Sequence, residues 1–325
     1  MNMPRTLLVL FLCFVLCGPI LGQTGTSIRE DNIRAELGFL ASDAMQGRGS
    51  GTNYERIAAE YIGSQFRQFG LEPGGDTDSA GNKSFVQRIS PTERPDGGTT
   101  WNVIGVLRGS DPRAVAEVIM LSAHLDHLGA NETLAGDKIF NGADDDASGC
   151  VAVLELARVL ASGKRPKRTI YFVCFGSEER GGLGSRYFIA NPPVPLEQIV
   201  ADLTFEMLGR PDSKVPAGTL WLTGFERSTL GPELARQGAS LVADPHPEQN
   251  FFQRSDNYPL ALRGVIAHTI SSFGLHTDYH RVSDEVGKID FPFMTRSLNS
   301  LVKPIQWFAN SDFRPTWLAG KAPTR

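Results

Sequence analysis

Six side chains suited to holding metal ions or moving protons stand in short motifs. They are His124 in SAHLDHLG, Asp145 in GADDDASG, Glu178 and Glu179 in FGSEERGGLGS, Glu206 in LTFEMLGR and His280 in HTDYHRVSDE. Imidazole nitrogens and carboxylate oxygens are the usual ligands of catalytic zinc, which keeps one position open for water. Two histidines and three carboxylates suit a pair of ions sharing one carboxylate, since co-catalytic metals lie about 3.5–4 Å apart. No cysteine belongs to the set, which argues against a structural zinc centre. Taken singly, the motifs have plainer readings. An aspartate run before a helix is usually an N-terminal cap, here through Asp146 or Ser148, and a glutamate pair after a strand is usually a solvated helix start. His246, in a proline-flanked loop, and His268, inside an apolar run, read as structural histidines.

The elements around these motifs give the set its weight. Val118 to Ala123 (VIMLSA), Thr169 to Phe175 (TIYFVCF), Ile199 to Phe205 (IVADLTF) and Val265 to Ile270 (VIAHTI) read as strands. Between the first two, Cys150, Val153, Leu154, Ala157, Leu160 and Ala161 recur on one helical face. A further helix spans residues 52–69, with Gly70 as its stop, and residues 73–100 read as loop with one strand near Phe85. This alternation predicts an α/β chain whose doubly wound, mostly parallel (mixed) sheet carries helices on both faces. In such sheets ligands bind outside the carboxyl ends of the strands. His124 directly follows the first run, the Glu178–Glu179 pair follows the second, Glu206 the third, and His280 lies beyond the fourth.

The 325 residues, 41% hydrophobic and 21% charged with a net charge of −4, suit an ordinary globular enzyme. Basic residues form no stripe, which excludes a nucleic-acid surface. At the N-terminus Arg5 and the apolar run Leu7 to Cys17 read as a secretory signal over residues 1–22, predicting export to the periplasm or medium. Residues 23–325 are expected to form one domain. Cys150 and Cys174, both in apolar stretches, read as buried free thiols.

At these residues the chain resembles the co-catalytic zinc aminopeptidase family, which includes bacterial leucyl aminopeptidase, glutamate carboxypeptidase and glutaminyl cyclase. The likeness runs from about Leu37 to Phe291 and includes LASDAMQGRGSGTNYERIAAEYIGSQFRQFGLEP, the five motifs above and the pair Ser255-Asp256. It implies a zinc-exopeptidase fold and two Zn2+ ions. His124 and Glu206 would hold one ion, Glu179 and His280 the other, with Asp145 bridging. Glu178 would be the general base acting on a water. The family pattern also implies a cis peptide at Asp145–Asp146, Asp126 accepting the other N–H of His124, and a similar orienting part for Asp284 at His280. His276 is a rival to His280, but only His280 has an aspartate four residues on. Glu206 stands where the family more often has Asp, and Asn257 where many relatives have His.

The implied activity is removal of N-terminal residues from peptides by a monomeric, exported metallo-exopeptidase. The alternatives are a one-zinc glutaminyl cyclase-like acyltransferase and an inactive binding protein on the same scaffold. No HExxH and no GxSxG occurs, so zincin and α/β-hydrolase readings lack their defining residues. The 73 residues between Glu206 and His280 leave no room for a lid domain. Trp221, Phe225, Phe251, Phe252 and Tyr258 are candidates for an apolar pocket, with core packing the commoner use of such residues.

Overall fold

Continuous apolar runs form strands only where both faces are covered, and the computed structural model, which describes residues 25–90 and 98–324, covers them with helices. The segment read as a secretory signal lies outside the described residues. In chain order the elements are α1 (Glu30–Leu40), α2 (Asn53–Gln68), β1 (Glu72–Pro73), β2 (Val86–Ile89), β3 (Thr100–Leu107), β4 (Val118–His124), β5 (Gly129–Ala130) and β6 (Ile139–Phe140). They continue with α3 (Gly149–Ser162), β7 (Thr169–Phe175), α4 (Leu183–Ala190), β8 (Ile199–Phe205), β9 (Leu220–Leu222) and α5 (Leu230–Arg236). The last are β10 (Leu241–Ala243), α6 (Asn257–Ala261), β11 (Ala267–Ser271) and α7 (Phe291–Asn310).

The main sheet runs β1-β3-β7-β4-β8-β11-β9-β10, with β2 also pairing β3. Its centre, β7-β4-β8-β11, is parallel. The pairs β3·β7, β1·β3, β2·β3 and β9·β11 are antiparallel, so the sheet is mixed. Alternate side chains of the central strands enter two separate cores. Ile119, Leu121 and Ala123 of β4, with Ile170, Phe172 and Cys174 of β7, join the core under α1, α2, α3, α5 and α7. Val118 and Met120, with Tyr171, Val173 and Phe175, join the core under α4 and α6.

Local chemistry sets the helix ends. The Thr52 hydroxyl accepts from the amides of Tyr54 and Glu55 at the start of α2, and Gly70, at φ 77°, ends it. Gly105 in β3 is dictated by packing, because a Cβ there would lie 2.7 Å from Phe66 and 2.8 Å from Leu71. Cys150 and Cys174 are free and buried. No helix among the described residues is long and apolar enough to cross a membrane.

One buried carboxyl of the sheet makes stability depend on pH. Asp202 in β8 accepts from Ser122 at 2.8 Å and Thr204 at 2.9 Å, yet full burial pushes its pKa up to about 7. The folded state therefore holds a proton that the unfolded chain releases near its ordinary value, so stability falls as pH rises between about 4 and 7. Asp202→Asn is expected to unfold at a higher temperature than the unmodified chain at pH 8, with the gain shrinking at pH 5. Melting curves at the two pH values check this, and a constant difference would rule it out.

Candidate metal centre

The C-terminal edge of the parallel strands collects the titratable side chains. His124 ends β4, Glu178 and Glu179 follow β7, Glu206 follows β8, and His280 lies in the loop after β11. Asp145 sits at the entrance to α3, between the two histidines. Its Oδ1 is 3.2 Å from His124 Nε2, and its Oδ2 is 3.1 Å from His280 Nε2. Glu179 Oε2 is 3.2 Å from the same His280 nitrogen. Ser177, Met207 and His280 all take left-handed backbone angles, φ 54–55°. Non-glycine residues in that region cost on the order of 1 kcal/mol each and gather at functional sites. The Asp145–Asp146 peptide is cis, as the family likeness implied.

The aspartates beside Asp145 hold the backbone from behind. Asp146 accepts the amides of His124, Gly149 and Met207, each at 3.1 Å, tying the exits of β4 and β8 to the start of α3. Ser148 bonds the Asp144 carbonyl instead of capping α3. Asp144 faces His276 Nε2 at 2.9 Å and accepts the Gly209 amide at 2.7 Å. His276 is therefore engaged away from Asp145, while His280 faces it.

Two orienting roles differ from expectation. Asp126 does not take the His124 N–H with its carboxylate, which lies 3.8 Å away. The Asp126 main-chain carbonyl faces His124 Nδ1 at 3.1 Å. Its carboxylate accepts the amides of Glu178 at 2.9 Å and Glu179 at 3.3 Å, and the Ser50 hydroxyl. The reason is local: the turn after β7 points two amides at this carboxylate, and buried amides need an acceptor. Asp284 likewise supports the backbone, accepting the amides of Asp144 and Asp145, each at 3.0 Å, and leaves His280 alone.

One residue went unread in the sequence. His127 is buried, its Nδ1 is 2.8 Å from Glu179 Oε1, and its ligand atoms group with those of Asp145 and Glu179 within 4.8 Å. Its signal was its place three residues after His124. Gly142 makes room for it: at φ 59°, a Cβ there would lie 2.6 Å from the His127 ring.

The charges are unbalanced toward carboxylate. Burial would raise the Asp145 carboxyl, but the surrounding His124, His127 and His280 pull it well below the carboxylate range. Burial raises Glu178 well above that range and Glu206 above it. Burial would lower His280, yet Asp145 and Glu179 push it up to about 10. Glu206 Oε2 is buried without a hydrogen-bond partner, and Asp145 Oδ2 has only ion-pair contacts, the nearer with His280. A divalent cation suits such a donor set, because it would occupy these oxygens and supply the missing positive charge.

Arg48, wholly buried, fastens the loops around this edge. Its guanidinium donates to the carbonyls of Leu125 at 3.0 Å, Leu40 and Asn141 at 2.7 Å, and Gly142 at 2.9 Å. Arg48→Met leaves these buried carbonyls without a donor, at about 1 kcal/mol or more each. The variant is expected to lose roughly 3 kcal/mol or more in urea unfolding. A loss below about 1 kcal/mol would mean that the carbonyls find other partners.

A family model matches residues 102–302, which hold His124, Asp145, Glu178, Glu179, Glu206 and His280. The chain belongs to peptidase family M28. Among curated relatives, the leupeptin-inactivating enzyme 1 of Streptomyces exfoliatus is 31% identical over 186 residues, covering 56% of this chain and 36% of that protein. The chain spans about a third of the length of the first curated relatives it matches. Its fold is that of solved aminopeptidases. An aminopeptidase from Aneurinibacillus sp. strain AM-1 superposes with TM-score 0.66 at 15% identity, over 93% of this chain and 97% of that one. A zinc aminopeptidase from Bacillus subtilis gives TM-score 0.66 at 16% identity, over 88% and 96%. Family M28 membership makes zinc the metal to fit to the cluster. Among the residues named as a possible pocket, Trp221 and Phe251 do wall a cleft beside Glu206, whereas Phe252 packs in the core under α6.

Proposed function

We propose that this chain is a two-zinc aminopeptidase, exported by its N-terminal segment, that hydrolyses N-terminal residues of peptides. In this reading His124 and Glu206 would hold one ion and Glu179 and His280 the other, with Asp145 shared between them. One observation carries it: Asp145 turns one oxygen to His124 and the other to His280, at 3.2 and 3.1 Å. Zinc bound there would supply a Lewis acid for the scissile carbonyl and lower the pKa of a water. Glu178 then takes the proton of the attacking water and returns it to the leaving amine. Burial raises its carboxyl, which favours holding the proton it takes. Asp126 fixes Glu178 and Glu179 through their amides, so both carboxylates keep their places. His127 holds Oε1 of Glu179, while His280 faces its Oε2. The named activities of the family's aminopeptidases are consistent with this assignment.

The test is metal analysis of the purified protein with hydrolysis of aminoacyl anilides. Two zinc ions per chain and release of the aniline are expected. Saturation at one ion, with cyclisation of N-terminal glutamine in place of hydrolysis, would overturn the proposal.

A further inference from the structure

The cleft beside Glu206 is walled by Trp221, Phe251, Phe273 and Tyr279. Aromatic walls suit an occupant with an apolar body, and the few polar groups in such a cleft set its identity. Two of them carry N–H donors. The Trp221 indole N–H is buried and has no partner. Arg254 stands exposed at the rim, its guanidinium 5.0 Å from the centre of the Phe251 ring. The same arginine lines an adjoining cleft together with Arg281, Tyr279 and Phe273, in whose wall no acidic residue stands.

Neither arginine forms an ion pair with a described carboxylate. Arg158, Arg168 and Arg210, by contrast, each face a carboxylate, at 2.6, 2.7 and 2.6 Å. An exposed arginine is ordinarily just solvated. Arg254 differs in being held against a ring of the cleft wall, where both clefts meet, one residue before the Ser255-Asp256 pair.

We propose that Arg254, assisted by Arg281, holds a carboxylate of the substrate, so that the protein selects peptides carrying a negative charge close to the bond that is cut. A guanidinium presents a planar fork that matches a carboxylate with two parallel hydrogen bonds. The carboxylate has two possible sources: an acidic side chain on the N-terminal residue, or the free C-terminus of a dipeptide lying along the adjoining cleft. This inference rests on the peptidase reading above, and its test separates the two.

The zinc-loaded full chain and its Arg254→Gln and Arg281→Gln variants are assayed on two matched pairs. These are the p-nitroanilides of glutamate and glutamine, and Leu-Ala with Leu-Ala amide. At least a tenfold higher kcat/KM for the charged member of one pair is expected, carried mainly by KM. That ratio should collapse toward one in Arg254→Gln and shrink in Arg281→Gln. The responding pair identifies the source. Ratios near one for both pairs in the unmodified protein, or a ratio that survives in Arg254→Gln, overturn the proposal. Inactivity on all four compounds sinks the peptidase reading instead. Calorimetric titrations with free glutamate against glutamine, and with Leu-Ala against its amide, then decide the carboxylate by the same tenfold criterion. Equal affinities within both pairs would end it.

Discussion

Glu178→Gln is expected to lower kcat by roughly 10²–10⁴-fold, the range for loss of a positioned general base, while zinc content stays that of the unmodified protein. Glutamine keeps the length and shape of the side chain and the main-chain N–H that donates to Asp126 at 2.9 Å. What it cannot do is take a proton. The raised carboxyl of Glu178 reflects first its burial and only then the charges of Asp256, Glu206 and Glu179, with His124 pulling the other way. It therefore depends on a local environment that the substitution leaves standing. Steady-state rates on an aminoacyl anilide, with metal analysis of the same samples, make the comparison. A fall of less than tenfold, about 1.4 kcal/mol, would remove Glu178 from the role of base.

The second large effect belongs to Asp145. Asp145→Ala deletes the one carboxylate among the described residues that faces His124 and His280 together. Metal ions contribute several kcal/mol of transition-state stabilisation, so kcat/KM is expected to fall by about 10³-fold or more. Zinc binding should weaken with it. A ligand that binds only the folded chain raises the melting temperature with its concentration. The unmodified protein should therefore melt higher as zinc is added, and the variant should show little of that rise. If the variant keeps the zinc-dependent rise and the rate, Asp145 does not join two ions.

Much of this arrangement was legible because strand ends are marked twice, by an apolar run that stops and by a polar residue that follows. His124, Glu178, Glu179 and Glu206 were found that way, and all four lie at or just beyond the carboxyl ends of the parallel strands. β3 escaped notice because Asn102 and Gly105 break its run, although Asn102 is buried and donates to Gln87 at 2.9 Å. β9 and β10, three residues each, carry too little pattern to be seen. Roles resting on contacts distant in the chain stayed hidden. Arg48 bonds carbonyls up to 94 positions away, and nothing in QGRGSG distinguishes a buried guanidinium from a solvated one. Asp126 was recognised as an orienting residue but meets His124 through its main-chain carbonyl rather than its carboxylate, and Asp284 holds the amides of Asp144 and Asp145 in place of His280. Whether a carboxylate takes an imidazole or a nearby amide depends on backbone geometry that residue type does not specify.

The four carbonyls gathered by Arg48 belong to the end of α1, the turn after β4 and the approach to Asp145. Those segments consequently lack independent local unfolding: one cannot swing away without breaking the arginine's hold on the others. In native-state hydrogen exchange their amides should open as one cooperative unit with a common free energy. A loop grafted here from a relative would survive only if it brought its carbonyl to the same guanidinium. The edge of the sheet that carries the candidate metal centre is in this sense a single mechanical unit.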